Sequence, residues 1–331
     1  MSRLFPLKLI PDNTNIRFLR WRNPAMIVSL LLIAASLALV VFKGFNYGVD
    51  FVGGQMVRVS FVAPPDLDDL RSKIARLGLG DPSIQQFGAP TEVSIRLPLP
   101  QGADANEASA NAAASQVRRS LQAAYPTARI DSVDTVSGKV SGELLRTGLI
   151  SLALAALGIS LYIWFRFEWQ FGVGALFALF HDVALTLGFF SLTGLEFNLN
   201  VVAALLTIIG YSLNDTIIVY DRIRENLRKY RKMDMEALLD LSVNETLSRT
   251  VVTSFSLILT LAILLLLGPE VIFGFTAAML LGIFVGTFSS IYVSAPILIW
   301  LKVRSDSFLP KEARAGNAER VTARKAEEGK V

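Results

Sequence analysis

The sequence has no cysteine and one histidine, His181, among its 331 residues. Disulfide frameworks, thiol nucleophiles and thiolate metal sites are therefore excluded. A lone imidazole also cannot build a polyhistidine metal cage, so no metal site and no catalytic residue is assigned. Charge is scarce as well, at 18% of residues against about 25% in soluble domains. It is almost missing from six stretches, 24–42, 148–165, 171–195, 197–220, 250–268 and 271–301, which hold only Asp182 and Asp215. Such runs of about 18 or more residues can cross a hydrocarbon core about 30 Å thick. A soluble enzyme is excluded, and six membrane spans are expected. The net charge of +4 follows from topology and calls for no nucleic-acid partner.

Lys and Arg mark the cytoplasmic side of short membrane-flanking segments. Residues 1–23, 221–249 and 302–331 are rich in them, whereas the two short opposite connections contribute only Glu196 and Glu270. This bias puts both termini in the cytoplasm and the long segment after the first span outside. The expected organisation is a cytoplasmic segment 1–23, an uncleaved first span at 24–43, an exported head at 44–140, and a five-helix bundle at 141–301. The bundle spans are about 144–165, 171–195, 197–220, 249–268 and 271–301, followed by a disordered cytoplasmic tail, 302–331. Within the head, strands at Gln55–Val62, Ser83–Phe87, Glu92–Leu97 and Ala128–Val136 and helices at Asp66–Leu77 and Asn106–Ala124 follow from hydrophobic period and turn signals. Their order, β-α-β-β-α-β, is that of a ferredoxin-like split unit. The fold class is thus a six-helix membrane bundle carrying a small α+β head.

Ionisable groups inside a bilayer are costly and ask for a function. Asp215 lies about 9 Å inside the membrane edge marked by Asp221, at 1.5 Å per residue. Arg249 opens the fifth span from the same side, so the two can share a depth and attract one another. Arg249, Thr253, Ser256 and Thr260 recur at helical spacing, and this stripe is expected to face the bundle or a watery crevice. Ser212 and Tyr211 supply a matching face beside Asp215, with Asn214 adjacent. Asp182, about 16 Å beyond Phe171, lies near mid-membrane with Thr186 and His181. Burial disfavours a charged carboxyl while a nearby Arg favours it, so a changing Asp215–Arg249 distance would load and release a proton. A static buried ion pair is the alternative. His181–Asp182 reads equally as a hydrogen-bonded packing pair or a second relay station.

Other features have plainer readings. Gly282-x-x-x-Gly286 offers close helix packing, although glycine is common in such helices anyway. Pro296 suggests a kink or an interfacial ending. Arg222–Asn244 reads as an amphipathic helix or helical pair on the inner surface, its basic residues serving as topology determinants or meeting anionic lipid.

Several of these residues sit in longer motifs. They are Gly48-Val49-Asp50-Phe51-Val52-Gly53-Gly54, Val140-Ser141-Gly142-Glu143-Leu144, His181-Asp182-Val183, and Gly210-Tyr211-Ser212-Leu213-Asn214-Asp215-Thr216 running on to Tyr220-Asp221-Arg222-Ile223-Arg224-Glu225-Asn226. Leu247-Ser248-Arg249-Thr250 through Thr253-Ser254 completes the set. With them the chain resembles the SecF family of the bacterial Sec protein-export machinery, itself similar to proton-driven RND transporters, over residues 17–301. The resemblance implies half of an RND-type bundle in the inner membrane, with the head in the periplasm. It implies no organic cofactor, with protons as the coupling ion passing at Asp215 and Arg249, and head movement that draws an emerging unfolded preprotein outward. The implied partners are SecD as the other half, the SecYEG translocon, YajC and the lipid bilayer. Gly48, Asp50, Gly53 and Gly54 then mark the junction of head and bundle, the glycines giving it freedom for a hinge or tight turn and Asp50 a turn or cap. The alternatives are an RND-type small-molecule transporter half and, remotely, an intramembrane aspartyl protease built on Asp182 and Asp215.

Overall fold

The computed structural model describes residues 11, 14–80, 82–87, 89–98 and 107–303; the tail beyond 303 and most of residues 1–13 lie outside the described residues. In the bundle, α1 (Arg22–Phe42), α5 (Gly138–Arg166), α6 (Trp169–Thr193), α7 (Leu199–Lys229) and α8 (Met235–Leu267) are continuous helices. A sixth membrane helix is built from α9 (Phe273–Ser289), a π-helical turn at Ser290–Ser294 and α10 (Ala295–Trp300). All six are long and apolar enough to span a membrane. Pro296 lies in the first turn of α10, directly after the π-helical turn, where the α-helical hydrogen-bond ladder is already interrupted. The preceding π turn re-phases the backbone, so Pro296 ends neither helix nor span.

The head follows from alternation. β2 (Gly54–Ser60) buries Val57 and Val59 completely on one face and turns Met56, Arg58 and Ser60 to the other, as a period of two requires. β3 (Ser83–Phe87), β4 (Ala89–Leu97) and β5 (Arg129–Val136) complete an antiparallel sheet in the order β3-β4-β2-β5. α3 (Leu67–Ala75) and α4 (Glu107–Ala124) cover one face, closing a core that includes Leu70, Ile74, Ile95, Val117 and Leu121. Asp66 caps α3 by accepting from the Asp68 and Asp69 N–H groups, a sequence-legible start. β4 begins three residues earlier than the alternation suggested, since Ala89 and Pro90 join the strand opposite Phe87.

Head and bundle meet at elements too short to read from sequence. β1 (Asn46–Tyr47) pairs in parallel with β6 (Glu196–Phe197), the connection between α6 and α7. The four-residue helix α2 (Val49–Val52) follows β1 and leads into β2.

On the opposite end, no separate surface helix forms from Arg222–Asn244. Instead α7 and α8 run on beyond the membrane as a hairpin, burying Ile223, Leu227, Leu238, Leu239 and Val243 in one cluster. Arg222 pairs with Glu225 and Glu245, and Arg224 with Glu168, so these two cations are occupied by protein. The segment entering α1 is tied to the same hairpin: Asn244 exchanges two hydrogen bonds with the Ile16 backbone, and Asp240 accepts from the Leu19 N–H at 2.9 Å.

Candidate functional site

Three helices meet around Asp182. α6 buries His181, Asp182 and Thr186, and the His181 Nδ1 lies 2.8 Å from Asp182 Oδ1. The other carboxylate oxygen, Oδ2, accepts from Ser212 of α7 and from Ser289 of α9, the latter at 2.8 Å. Glycine permits this approach. A Cβ at Gly286 would sit 3.2 Å from Ser212 Cβ, and one at Gly282 would collide with Ile208. The Gly282/Gly286 pair is therefore a packing seam between α9 and α7. Its effect is to bring two serine hydroxyls onto one buried carboxylate. His181 Nε2 is buried and has no hydrogen-bond partner.

Asp215 lies one turn beyond Ser212 on α7. It is 1% exposed, and its Oδ2 is buried without a hydrogen-bond partner. Ser212 does not serve it; that hydroxyl is given to Asp182. Arg249 is the positive charge whose influence reaches Asp215, but no ion pair joins them. Nor does Arg249 pair with any other acid among the described residues, and it stands exposed at the bundle surface. The expected ion pair is thus not formed: an unsatisfied carboxylate oxygen lies inside and an unpaired guanidinium outside.

The stripe on α8 is not turned into this chain's own bundle, one of the two directions expected. Thr253, Ser256 and Thr260 are exposed, and each hydroxyl bonds back to its own helix, to the carbonyls of Arg249 and Thr250, of Thr253, and of Ser256 respectively. Hydroxyls satisfied this way need no partner helix. Thr250, Ser254 and Leu261, close by in sequence but on the opposite face, are buried against the bundle. Ser254 then links three helices, its Oγ lying 2.9 Å from Tyr211 OH and 2.9 Å from Thr287 Oγ1. Asn214 is likewise exposed. Sequence reasoning named Ser254 only within a motif and missed Thr287 and Ser289, since a small hydroxyl residue in a span carries no mark of the direction it faces. No hydrogen bond joins the Asp182 and Asp215 carboxyls, so the shared site that aspartyl protease chemistry needs is not formed.

At the head junction, Gly48 precedes α2 and donates its N–H to the Phe197 carbonyl at 2.9 Å. Asp50 caps a helix, though not its own: Oδ2 accepts from the Leu199 N–H at 2.9 Å, at the start of α7. Gly53 and Gly54 hold φ of 72° and 111°, a region closed to most side chains. A Cβ at Gly54 would also strike the Leu97 carbonyl. The glycines thus build a tight turn that other residues would not fit.

Family comparisons agree with these motifs. A model described as protein export membrane protein SecD/SecF, C-terminal, matches residues 116–304, and one for the SecD/SecF GG motif matches 38–65. The chain belongs to the SecD/SecF family. Protein translocase subunit SecF of Rickettsia rickettsii is 41% identical over 297 residues, covering 89% of this chain and 95% of that protein. The subunit of the same name from Rhodobacter capsulatus is 41% identical over 94% of this chain and 99% of the relative. A solved structure of SecDF from Thermus thermophilus, titled a translocon-associated membrane protein, superposes with a TM-score of 0.80 at 35% identity. That match covers 89% of this chain but 40% of the SecDF chain. A SecDF structure in a super-membrane-facing form matches with a TM-score of 0.65, also at 35% identity. SecD/SecF membership places this chain among multi-pass translocase components, not enzymes.

Proposed function

We propose that this chain is one half of a proton-driven protein-export unit, completed by a SecD-type half, that promotes preprotein translocation and release. The observation that carries the reading is the open Asp215–Arg249 arrangement: a buried carboxyl without a partner on α7, and an unpaired guanidinium on the neighbouring helix. An unpaired carboxylate is untenable at this depth. It takes up a proton, or it draws in Arg249. Alternation between those two states, coupled to a rearrangement of the helices, moves protons down their gradient, each worth about 2.3 kcal/mol per 100 mV. Asp182 with His181 and Ser212 forms an auxiliary polar path one turn away.

The exposed polar set supports the missing half. Asn214 and Arg249 would be costly against lipid, as they would not be at a seam with a second bundle, and Thr253, Ser256 and Thr260 continue the same exposed face. Two fifths of the SecDF chain corresponds to this one, and the remainder is the natural source of that bundle. In the proposed orientation, the protein lies in the inner membrane with both termini cytoplasmic and the head in the periplasm. There it meets unfolded preprotein leaving SecYEG, with YajC as a further neighbour.

Asp215→Asn is the direct test. The variant should insert and co-purify with the SecD-type half, yet lose proton-dependent stimulation of export. Normal export would refute the role. Arg249→Lys keeps the charge but not the fork geometry, and should retain part of the activity.

A further inference from the structure

Between the head sheet and the α6–α7 connection lies a cavity of about 200 Å³, lined by Arg58, Gln85 and Ser94 from the head and Gly194, Glu196 and Asn198 from the bundle. It carries polar groups from both sides and is large enough to hold several waters. Glu196 is its acidic group, with a side chain only 22% exposed. The carboxylate packs against the backbone of Gly48, where a Cβ would come within 2.5 Å of Oε1. It therefore meets the turn between β1 and α2, the start of α7 and Arg58 of the head at once.

Its electrostatic surroundings are ill matched to a full charge. Arg58 Nη2 is 3.9 Å away, beyond hydrogen-bond length, and Arg58 already donates to Asp134 at 3.1 Å. Arg96 is committed to Asn46 Oδ1 at 3.0 Å and to the Tyr47 carbonyl. Asp50 adds a like charge from α2, and the Asn198 side chain supplies a neutral hydrogen bond. Burial therefore wins: it pushes the Glu196 carboxyl above its ordinary value against the pull of Arg58 and Arg96.

We propose that Glu196 is a proton-operated latch between head and bundle, protonated while the head is docked on the α6–α7 connection and ionised when the head lifts. The cavity gives water a route to the carboxyl. A group that binds its proton more tightly docked than free makes docking stronger as pH falls and weaker as pH rises through the docked-state value. Simple attraction to Arg58 would have the opposite sign, releasing the head as the carboxylate is neutralised. The latch supplies a trigger for coupling the proposed proton passage to the head and so rests on that reading, but its test needs neither export nor proton flux.

Because the chain has no cysteine, spin labels can be placed by Ala89→Cys on the head and Leu267→Cys on the bundle, both exposed and outside the cavity lining. Distances are measured on the full chain in lipid nanodiscs at about pH 5 and about pH 8. The docked distance should dominate at low pH, with a longer population growing several-fold at high pH. Glu196→Gln should stay docked at both, while Glu196→Asp keeps the pH response. Arg58→Gln should move the transition to higher pH, which also covers a poorly folding Gln variant. A wild type with the same distances at both pH values, a Gln variant with the wild-type response, or a head that lifts as pH falls would each overturn the latch. Wild-type latching with no proton flux would instead fault the export reading alone.

Discussion

Replacing Gly282 by alanine tests the seam that assembles the buried polar cluster. The new Cβ would lie 2.5, 2.6 and 2.9 Å from the three outer carbons of Ile208, where carbon–carbon contacts are comfortable at about 3.5–4.0 Å. Roughly 1 Å of movement is required. Ile208 is 1% exposed, packed with Leu205, Ala278 and Ile283, and its β-branch leaves essentially one χ1 well in a helix. It cannot swing aside, so α9 must shift from α7 or the side chain must strain, at about 1–3 kcal/mol. A 1 Å shift would also stretch the Ser289–Asp182 hydrogen bond, now 2.8 Å. Unfolding followed in detergent micelles should show the loss. Ile208→Ala costs about 2–5 kcal/mol alone by opening a cavity, yet it gives the alanine at 282 room. The double variant should therefore be more stable than the sum of the singles by at least about 0.5 kcal/mol. An unchanged Gly282→Ala, or strictly additive losses, would refute the close-seam argument.

Asp50→Ala removes the acceptor for the Leu199 N–H and should cost about 0.5–2 kcal/mol, with Asn intermediate; hydrogen exchange at Leu199 reports it, and unchanged protection would contradict the cap. Ser212→Ala takes one of three hydrogen-bond partners from the buried Asp182 carboxylate and should destabilise by about 1–3 kcal/mol. Ser289→Ala should do likewise, and a double variant that is merely additive would show that the hydroxyls do not act on a common group. In the head, hydrogen bonds from Lys73 and Tyr125 hold the Asp69 carboxyl below its usual range. The stability this adds is present above the ordinary carboxylate value and fades as pH falls through the folded one. Lys73→Gln should move the Asp69 titration, followed by NMR, back upward, and an unmoved titration would exclude that pair as the cause.

The spans were legible because charge was confined to the segments between them, and the head because alternation and helical period change within it. Depth could also be reckoned along each helix, which brought Asp215 and Arg249 to one level. Helix phase could not. The stripe of Arg249, Thr253, Ser256 and Thr260 is a real face, but periodicity does not say whether it points inward, and a hydroxyl bonded to its own helix carries no cost that would turn it in. Ser212 was assigned to Asp215 by spacing along one helix; its actual partner, Asp182, lies across a seam set by Gly286 on a third. The β1–β6 pair is two residues long on each side, too short for any pattern. Its consequence, a buried Glu196, appears in sequence only as one acid in a short connection.

The central claim is that Asp215 carries protons while Arg249 moves against it. The most direct measurement is proton flux into lipid vesicles holding this chain and its SecD-type half, with an imposed pH gradient and an entrapped pH-sensitive dye. Wild-type vesicles should acidify well above protein-free ones, and Asp215→Asn vesicles should fall to the protein-free level although both halves remain assembled. Equal flux from wild type and Asp215→Asn would contradict the account.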